Sequence, residues 1–220
     1  MHRRDLLKTL ATAGLLQGAG ISGLIREALA NGNSPIQAGL RKLTGKVTIN
    51  GRTAHEGMLV TLGDTVVTGP GAEAIYVIDQ DAFLQRADTE VTFGQDAAAF
   101  FRIVTGRLLS VFGHGAKRLV VPTATIGIRG TGCYIDTDQN KTYFCLCYGE
   151  AEVTPLAAPQ EQEVIRTQHH DHPMYISAVP KMSTAMVPAE VINHTDIELT
   201  MLEQLVGRLP PFYGKTDEHY

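Results

Sequence analysis

Tryptophan is absent from this 220-residue chain, and aromatic residues make up only 6% of it. That scarcity argues against a broad aromatic platform for ligands. Clustered basic residues are missing as well: 19 Lys and Arg face 23 Asp and Glu, for a net charge of −4. Nucleic-acid binding depends on grouped cations that neutralise phosphates, so that class of function is set aside. The stretch from Thr9 to Ile25 is uncharged but holds Gln17 and several glycines. It falls short of the roughly 20 strongly apolar residues that a membrane span needs. There is also no serine nucleophile elbow, no His-Glu-x-x-His helix and no convincing pair of carboxylates. A catalyst is therefore not expected. Thiol or metal redox chemistry, with Cys145 or Cys147 paired to His170, is the enzymatic alternative left open.

What the chain does have begins at its first residues. His2-Arg3-Arg4-Asp5-Leu6-Leu7-Lys8 is followed by the uncharged stretch and then by Ala28-Leu29-Ala30. A basic region, an apolar region and a small-residue cleavage site in that order form a twin-arginine export signal. The expectation is a signal peptide over residues 1–30 and a periplasmic protein exported already folded, a route suited to a protein loaded with a metal or cofactor beforehand. Residues 1–30 carry +2, so the remainder carries −6. Roughly 190 residues are left, enough for one domain with a core of its own.

Residues 31–44 are read as a linker. From Gly45 to Thr154, short apolar runs alternate with turn residues every eight to twelve positions, the rhythm of an all-β sandwich or roll. Lys46 to Ile49 alternates and meets Asn50-Gly51, a type I′ hairpin signal. Met58–Leu62, Val66–Thr68, Phe83–Arg86, Glu90–Phe93, Gly106–Phe112 and Arg118–Val121 are further strand candidates. Ala74–Ile78 is continuously apolar, as a strand buried on both faces would be. Ala97–Phe101 fits a helical turn. Residues 155–220 form a C-terminal extension. It contains a last strand near Val164–Thr167, a segment from 168 to 190 that matches neither strand nor helix, and a short helix over 196–206. Thr195-Asp196-Ile197-Glu198 is a capping box, Ile197, Met201, Leu202 and Leu205 make an apolar stripe, and Gly207 ends the helix. That helix is expected to pack on the β core.

Two stretches resemble a known family. Gly45-Lys46-Val47, Asn50-Gly51, Ala54, Gly57 and the run from Gly63 to Gly69 resemble the opening of the FecR domain. Val121-Pro122-Thr123-Ala124-Thr125-Ile126-Gly127-Ile128-Arg129-Gly130-Thr131-Gly132 resembles its closing signature. The resemblance covers residues 45–154 and implies an all-β fold. Founding members sense iron-citrate uptake through a cytoplasmic segment that controls a sigma factor, a membrane span, and this domain in the periplasm. With no counterpart here to those first two segments, the resemblance implies an envelope module that binds or senses, with an envelope protein as partner. Within the closing signature, Gly127 and Gly130 are expected to allow positive φ or close strand approach. Arg129 is expected to be buried and paired, with Asp64 as a candidate partner.

The Cys and His residues carry the chemistry. Cys133 and the pair Cys145 and Cys147 lie on two strands joined through Asp138-Gln139-Asn140, and alternation puts Cys145 and Cys147 on one face. A three-residue turn pairs Thr137 with Lys141 and brings all three sulfurs together. A two- or four-residue turn pairs Cys133 with Leu146 and sends its thiol to the other face. Downstream, Gln168-His169-His170-Asp171-His172-Pro173 concentrates imidazoles. Cys133, Cys145, Cys147, His169, His170 and His172 are thus the candidate ligands for zinc, iron or copper. The alternative is a metal-free scaffold with one disulfide, Cys133 to Cys145 or Cys147. Met174, Met182 and Met186 are soft donors whose commoner use is filling space. His55, His114 and His194 stand alone and are read as structural or surface residues.

Overall fold

The protein's computed structural model describes residues 37–94, 99–181 and 184–214. The signal-like residues 1–30 lie outside them, as do Ala97, Ala98 and Met182. The described chain is almost entirely β. In order it forms β1 (Gly39–Thr44), β2 (Val47–Ile49), β3 (Arg52–Thr53), β4 (Thr65–Thr68), β5 (Glu73–Ile78), β6 (Asp81–Gln85) and β7 (Thr89–Phe93). These are followed by β8 (Phe101–Val111), β9 (Ala116–Val121), β10 (Ala124–Thr137), β11 (Lys141–Pro155), β12 (Glu163–Thr167), β13 (Met174–Lys181) and β14 (Thr184–Pro188). The single α-helix among the described residues, α1 (Asp196–Leu205), comes last.

All fourteen strands hydrogen-bond into one sheet whose main path runs β14-β13-β11-β10-β9-β8-β7-β4-β2-β3, with β1, β5, β6 and β12 attached beside it. Every pairing is antiparallel except the short parallel contact of β8 with β9. The Asn50-Gly51 signal produces a two-residue turn with φ of 51° and 75°, between the Ile49–Arg52 pair. Left-handed backbone at both positions is what a type I′ turn requires.

Apolar residues divide between two clusters on opposite faces. One gathers Tyr76, Phe83, Phe93, Phe101 and Phe112 with Cys133, Ile135, Phe144 and Leu146. The other gathers Ile75, Val77, Leu84, Leu109, Tyr134, Cys145 and Cys147 beneath Leu199, Met201 and Leu202 of α1. Strand β5 feeds both, which explains its unbroken apolar sequence. The capping box forms as the sequence predicts: Thr195 Oγ1 accepts from the Glu198 backbone N–H, and Glu198 returns the bond to the Thr195 backbone. Gly207 at φ +72° closes the helix.

Several expectations are corrected. Residues 39–44, read as part of a linker, form β1 and pair with β5. Met58–Leu62 is not a strand; Leu59 and Leu62 are exposed and only Val60 is buried. The segment from 168 to 190 contains two strands, β13 and β14. Arg129 is exposed, and the Asp64 carboxylate is engaged by Asn50 and Thr61 instead. Gly130 has positive φ, whereas Gly127 is ordinary strand. Phe101, placed in a helical turn, opens β8.

A candidate metal centre of two cysteines and two histidines

The β10–β11 hairpin sets the site. Asp138 Oδ1 accepts from the backbone N–H of both Asn140 and Lys141, and its own N–H reaches the Lys141 carbonyl. This Asx-type closure makes the connection four residues long, with Thr137 opposite Thr142. Cys133 then faces Leu146 and Tyr134 faces Cys145. The four-residue alternative is therefore the one adopted, and Cys133 lies across the sheet from the other two thiols, buried in the opposite cluster. All three cysteines are free. Cys133 is removed from the candidate ligands, and the scaffold disulfide from it to either neighbour is removed with it.

Between Cys133 and Gly132 the pairing shifts by one, so Tyr148 meets Gly132 and Cys147 occupies a bulge. The bulge lets the consecutive residues Cys147 and Tyr148 both serve the helix-covered cluster. Gly149 follows at φ +101°, where an added Cβ would lie 2.6 Å from Thr131 Cγ2. Only glycine fits there.

The histidines arrive from two other segments. After β12, Asp171 accepts from Thr167 Oγ1 and from the Gln168 N–H, folding the chain into a tight loop. His170 sits in that loop at φ +54°, with its N–H donated to the Cys147 carbonyl. Left-handed backbone is uncommon outside glycine, though histidine adopts it more readily than most residues. His194 comes from the segment entering α1. There Tyr143 Oη donates to the Glu190 carbonyl and accepts from the Ile192 N–H, while Arg86 Nη2 donates to the Asn193 carbonyl.

These elements bring Cys145, Cys147, His170 and His194 together, all buried, with every donor atom within 4.8 Å of every other. Cys145 Sγ lies 3.5 Å from His170 Nδ1, and His170 Nδ1 lies 3.1 Å from His194 Nε2. A tetrahedral zinc ion would set sulfur and nitrogen ligands about 3.6 Å apart and two nitrogens about 3.3 Å apart, from bond lengths near 2.3 and 2.05 Å. Both of these separations lie close to those values.

The outer nitrogens are also committed. His194 Nδ1 contacts the Ile192 carbonyl at 2.7 Å, and a carbonyl can only accept, so that nitrogen carries hydrogen. His170 Nε2 contacts Asp196 Oδ1 at 3.0 Å and donates likewise. Both rings thus turn their inner nitrogens towards each other. Two lone pairs 3.1 Å apart repel unless a proton or a metal cation lies between them. A carboxylate or carbonyl behind each ligating imidazole is the arrangement that orients metal-binding histidines.

The electrostatics agree. A hydrogen bond from the Cys147 thiol, outweighing burial and joined by His170 and His194, lowers the Cys145 thiol to about 3. Burial and the neighbouring Cys145 push Cys147 up. Burial opposes charge on His170, but the Cys145 and Asp196 contacts prevail and raise it. The Cys145 thiolate favours a positive charge beside it, which a proton on His170 or a bound metal cation would supply.

The remaining predicted residues fall outside this group. His169 lies beside it, with Nε2 2.8 Å from Asp196 Oδ2 and its ring stacked on Phe212. His172 is exposed and lines a separate cleft of about 200 Å³ with Met174 and Met186. Both methionines also pack against the first apolar cluster, as space-filling residues do. His194 is the candidate ligand that sequence reasoning missed. Its one signal was position, immediately before the Thr195 cap and so fixed wherever the helix docks.

No family model matches the chain, and no curated protein matches it. Among solved structures it is similar to two crystal structures of a "putative anti-sigma factor" from Parabacteroides distasonis ATCC 8503, at 1.65 and 2.50 Å resolution. They share 9% identity with it, with TM-scores of 0.47 and 0.46, over 57% of this chain. The chain spans 58% of their length.

Proposed function

We propose that this chain is an exported, periplasmic binding and sensing module that holds one transition-metal ion, with zinc as the best fit, at Cys145, Cys147, His170 and His194. The observation that carries the reading is the convergence of two buried thiols and two imidazoles, with all donor atoms within 4.8 Å of one another and each imidazole held by an acceptor behind it. Four protein ligands fill a tetrahedral shell and leave no position for substrate, so the ion is retained rather than used for hydrolysis. Two thiolates balance a divalent charge, which makes the buried complex neutral.

The twin-arginine signal and the FecR-like motifs support the envelope setting and a protein partner there. Export in the folded state suits a buried site, because its ligands come together only in the folded chain. Iron and copper accept the same donors and are separated from zinc by measurement.

The test is metal content and free-thiol count on untagged protein purified from the native periplasm. About one zinc per chain is expected, lost in Cys145→Ser and in Cys147→Ser, in line with a four-ligand site. Stoichiometric iron or copper at the same residues would change the element and keep the site. Protein that contains no metal and fails to take up zinc when reduced would end the proposal.

A further inference from the structure

All four inner ligands are buried, so an ion needs a way in. Asp196 supplies a contact with both the cluster and water: its carboxylate is 46% exposed and touches His170 Nε2. The same carboxylate reaches His169 Nε2 through its other oxygen. His169, His170 and Asp196 thereby form a second donor group, with ligand atoms within 4.8 Å of one another. The two groups share one residue, His170, which presents Nδ1 to the inner cluster and Nε2 to the outer. The nitrogen–oxygen separations are 2.8 Å from His169 and 3.0 Å from His170, one to each oxygen of the carboxylate.

We propose that His169, His170 Nε2 and Asp196 form an outer, solvent-facing position where a divalent transition-metal ion first lands before passing around the His170 ring to the inner ligands. This rests on the inner four-ligand reading. Three protein ligands leave room for water, so the arriving ion sheds its hydration shell in steps rather than at once. The ring stays neutral throughout: as the ion lands, Nε2 gives up its proton to solvent and Nδ1 takes one up, and as the ion moves to Nδ1 that proton leaves and Nε2 is reprotonated. Asp196 is the first residue of α1, where the positive end of the helix dipole disfavours a cation. A weak outer hold and a strong inner one drive the ion inward.

The experiment is rapid mixing of the reduced, metal-free full chain with Co²⁺, followed by the sulfur-to-cobalt charge-transfer absorption that marks arrival at the thiolates. His169→Phe keeps a ring against Phe212, whose centroid lies 4.4 Å away, and removes the nitrogen. The variant is expected to reach the wild-type endpoint of one cobalt per chain while loading about tenfold or more slowly, the scale on which local charge and ligand placement change on-rates. His169→Gln is read the same way if the phenylalanine variant misfolds. Loading at the wild-type rate would overturn the port and leave the inner site standing. Absence of the charge-transfer band in wild type would overturn the inner site itself, and the port with it.

Discussion

Tyr134 backs two of the four clustered side chains, Cys145 and His194. Across the β10–β11 pair it stands opposite Cys145, and its ring lies flat on His194, with centroids 4.7 Å apart and planes 16° from parallel. One fully buried side chain thus fixes the approach of a thiol from the sheet and an imidazole from the segment before the helix. Tyr134→Ala should cost about 3–5 kcal/mol of stability, as loss of a buried aromatic does. It should also weaken zinc binding, whereas Tyr134→Phe, which keeps the stack, should hold affinity near wild type. Thermal unfolding with zinc titration checks both. Equal loss of affinity in the two variants would show that the ring does not support the site.

Cys133 gives the sharpest contrast among the thiols. It is buried on the face opposite Cys145 and Cys147. Cys133→Ser should leave one metal per chain and lower stability by about 1–3 kcal/mol, because a hydroxyl replaces a thiol in an apolar cluster. Cys145→Ser and Cys147→Ser should lose the metal. Metal analysis beside thermal unfolding separates the cases; loss of metal from Cys133→Ser would mean the hairpin register differs from the one described.

That register marks where sequence reasoning stops. The alternation around Cys145 and Cys147, the Asn50-Gly51 turn and the Thr195 capping box depend on neighbours in the chain, and each was legible. The length of the Asp138–Lys141 connection depends on which N–H groups Asp138 captures, and the residues there allow more than one answer. Strands β13 and β14 were hidden because Pro180 and Pro188 interrupt their pattern, and their pairing lapses between Ile176 and Lys181. His194 lies 24 residues from His170, and only the docking of α1 brings the two rings together. Asp196, read from sequence as part of a capping box, turned out also to be the carboxylate behind His170.

Asp64 supplies a pH dependence away from the Cys and His cluster. Although burial alone would raise its carboxyl, hydrogen bonds from the Thr61 backbone, Asn50 and the Thr61 hydroxyl hold it below the ordinary carboxylate range. A depressed carboxylate contributes stability that is complete above its unfolded-state pKa and disappears as pH falls through the folded-state value. Asp64→Asn should therefore unfold more easily than wild type at neutral pH, by about 1–2 kcal/mol for hydrogen bonds to a charged acceptor. The gap should close in acid below the ordinary aspartate range. Denaturant melts of both proteins across that range test it; a gap that stays constant would rule out the ionised carboxylate as its source.

Thr195 joins the local fold to the site. Its hydroxyl caps α1, and the residues on either side are His194, a candidate inner ligand, and Asp196, which contacts His170. Thr195→Ala removes the cap and should cost about 0.5–2 kcal/mol in the metal-free protein. If the cap only stabilised the helix, zinc affinity would not change, since both states would lose equally. Because the same turn places His194 and Asp196, the metal-bound state has more to lose, and affinity should fall together with stability. Unfolding of wild type and Thr195→Ala, each with and without zinc, forms a thermodynamic cycle that isolates this coupling. A nonzero coupling would show that the helix entrance is part of the metal site, and a zero value would show that His194 is held by Tyr134 and the Ile192 carbonyl alone.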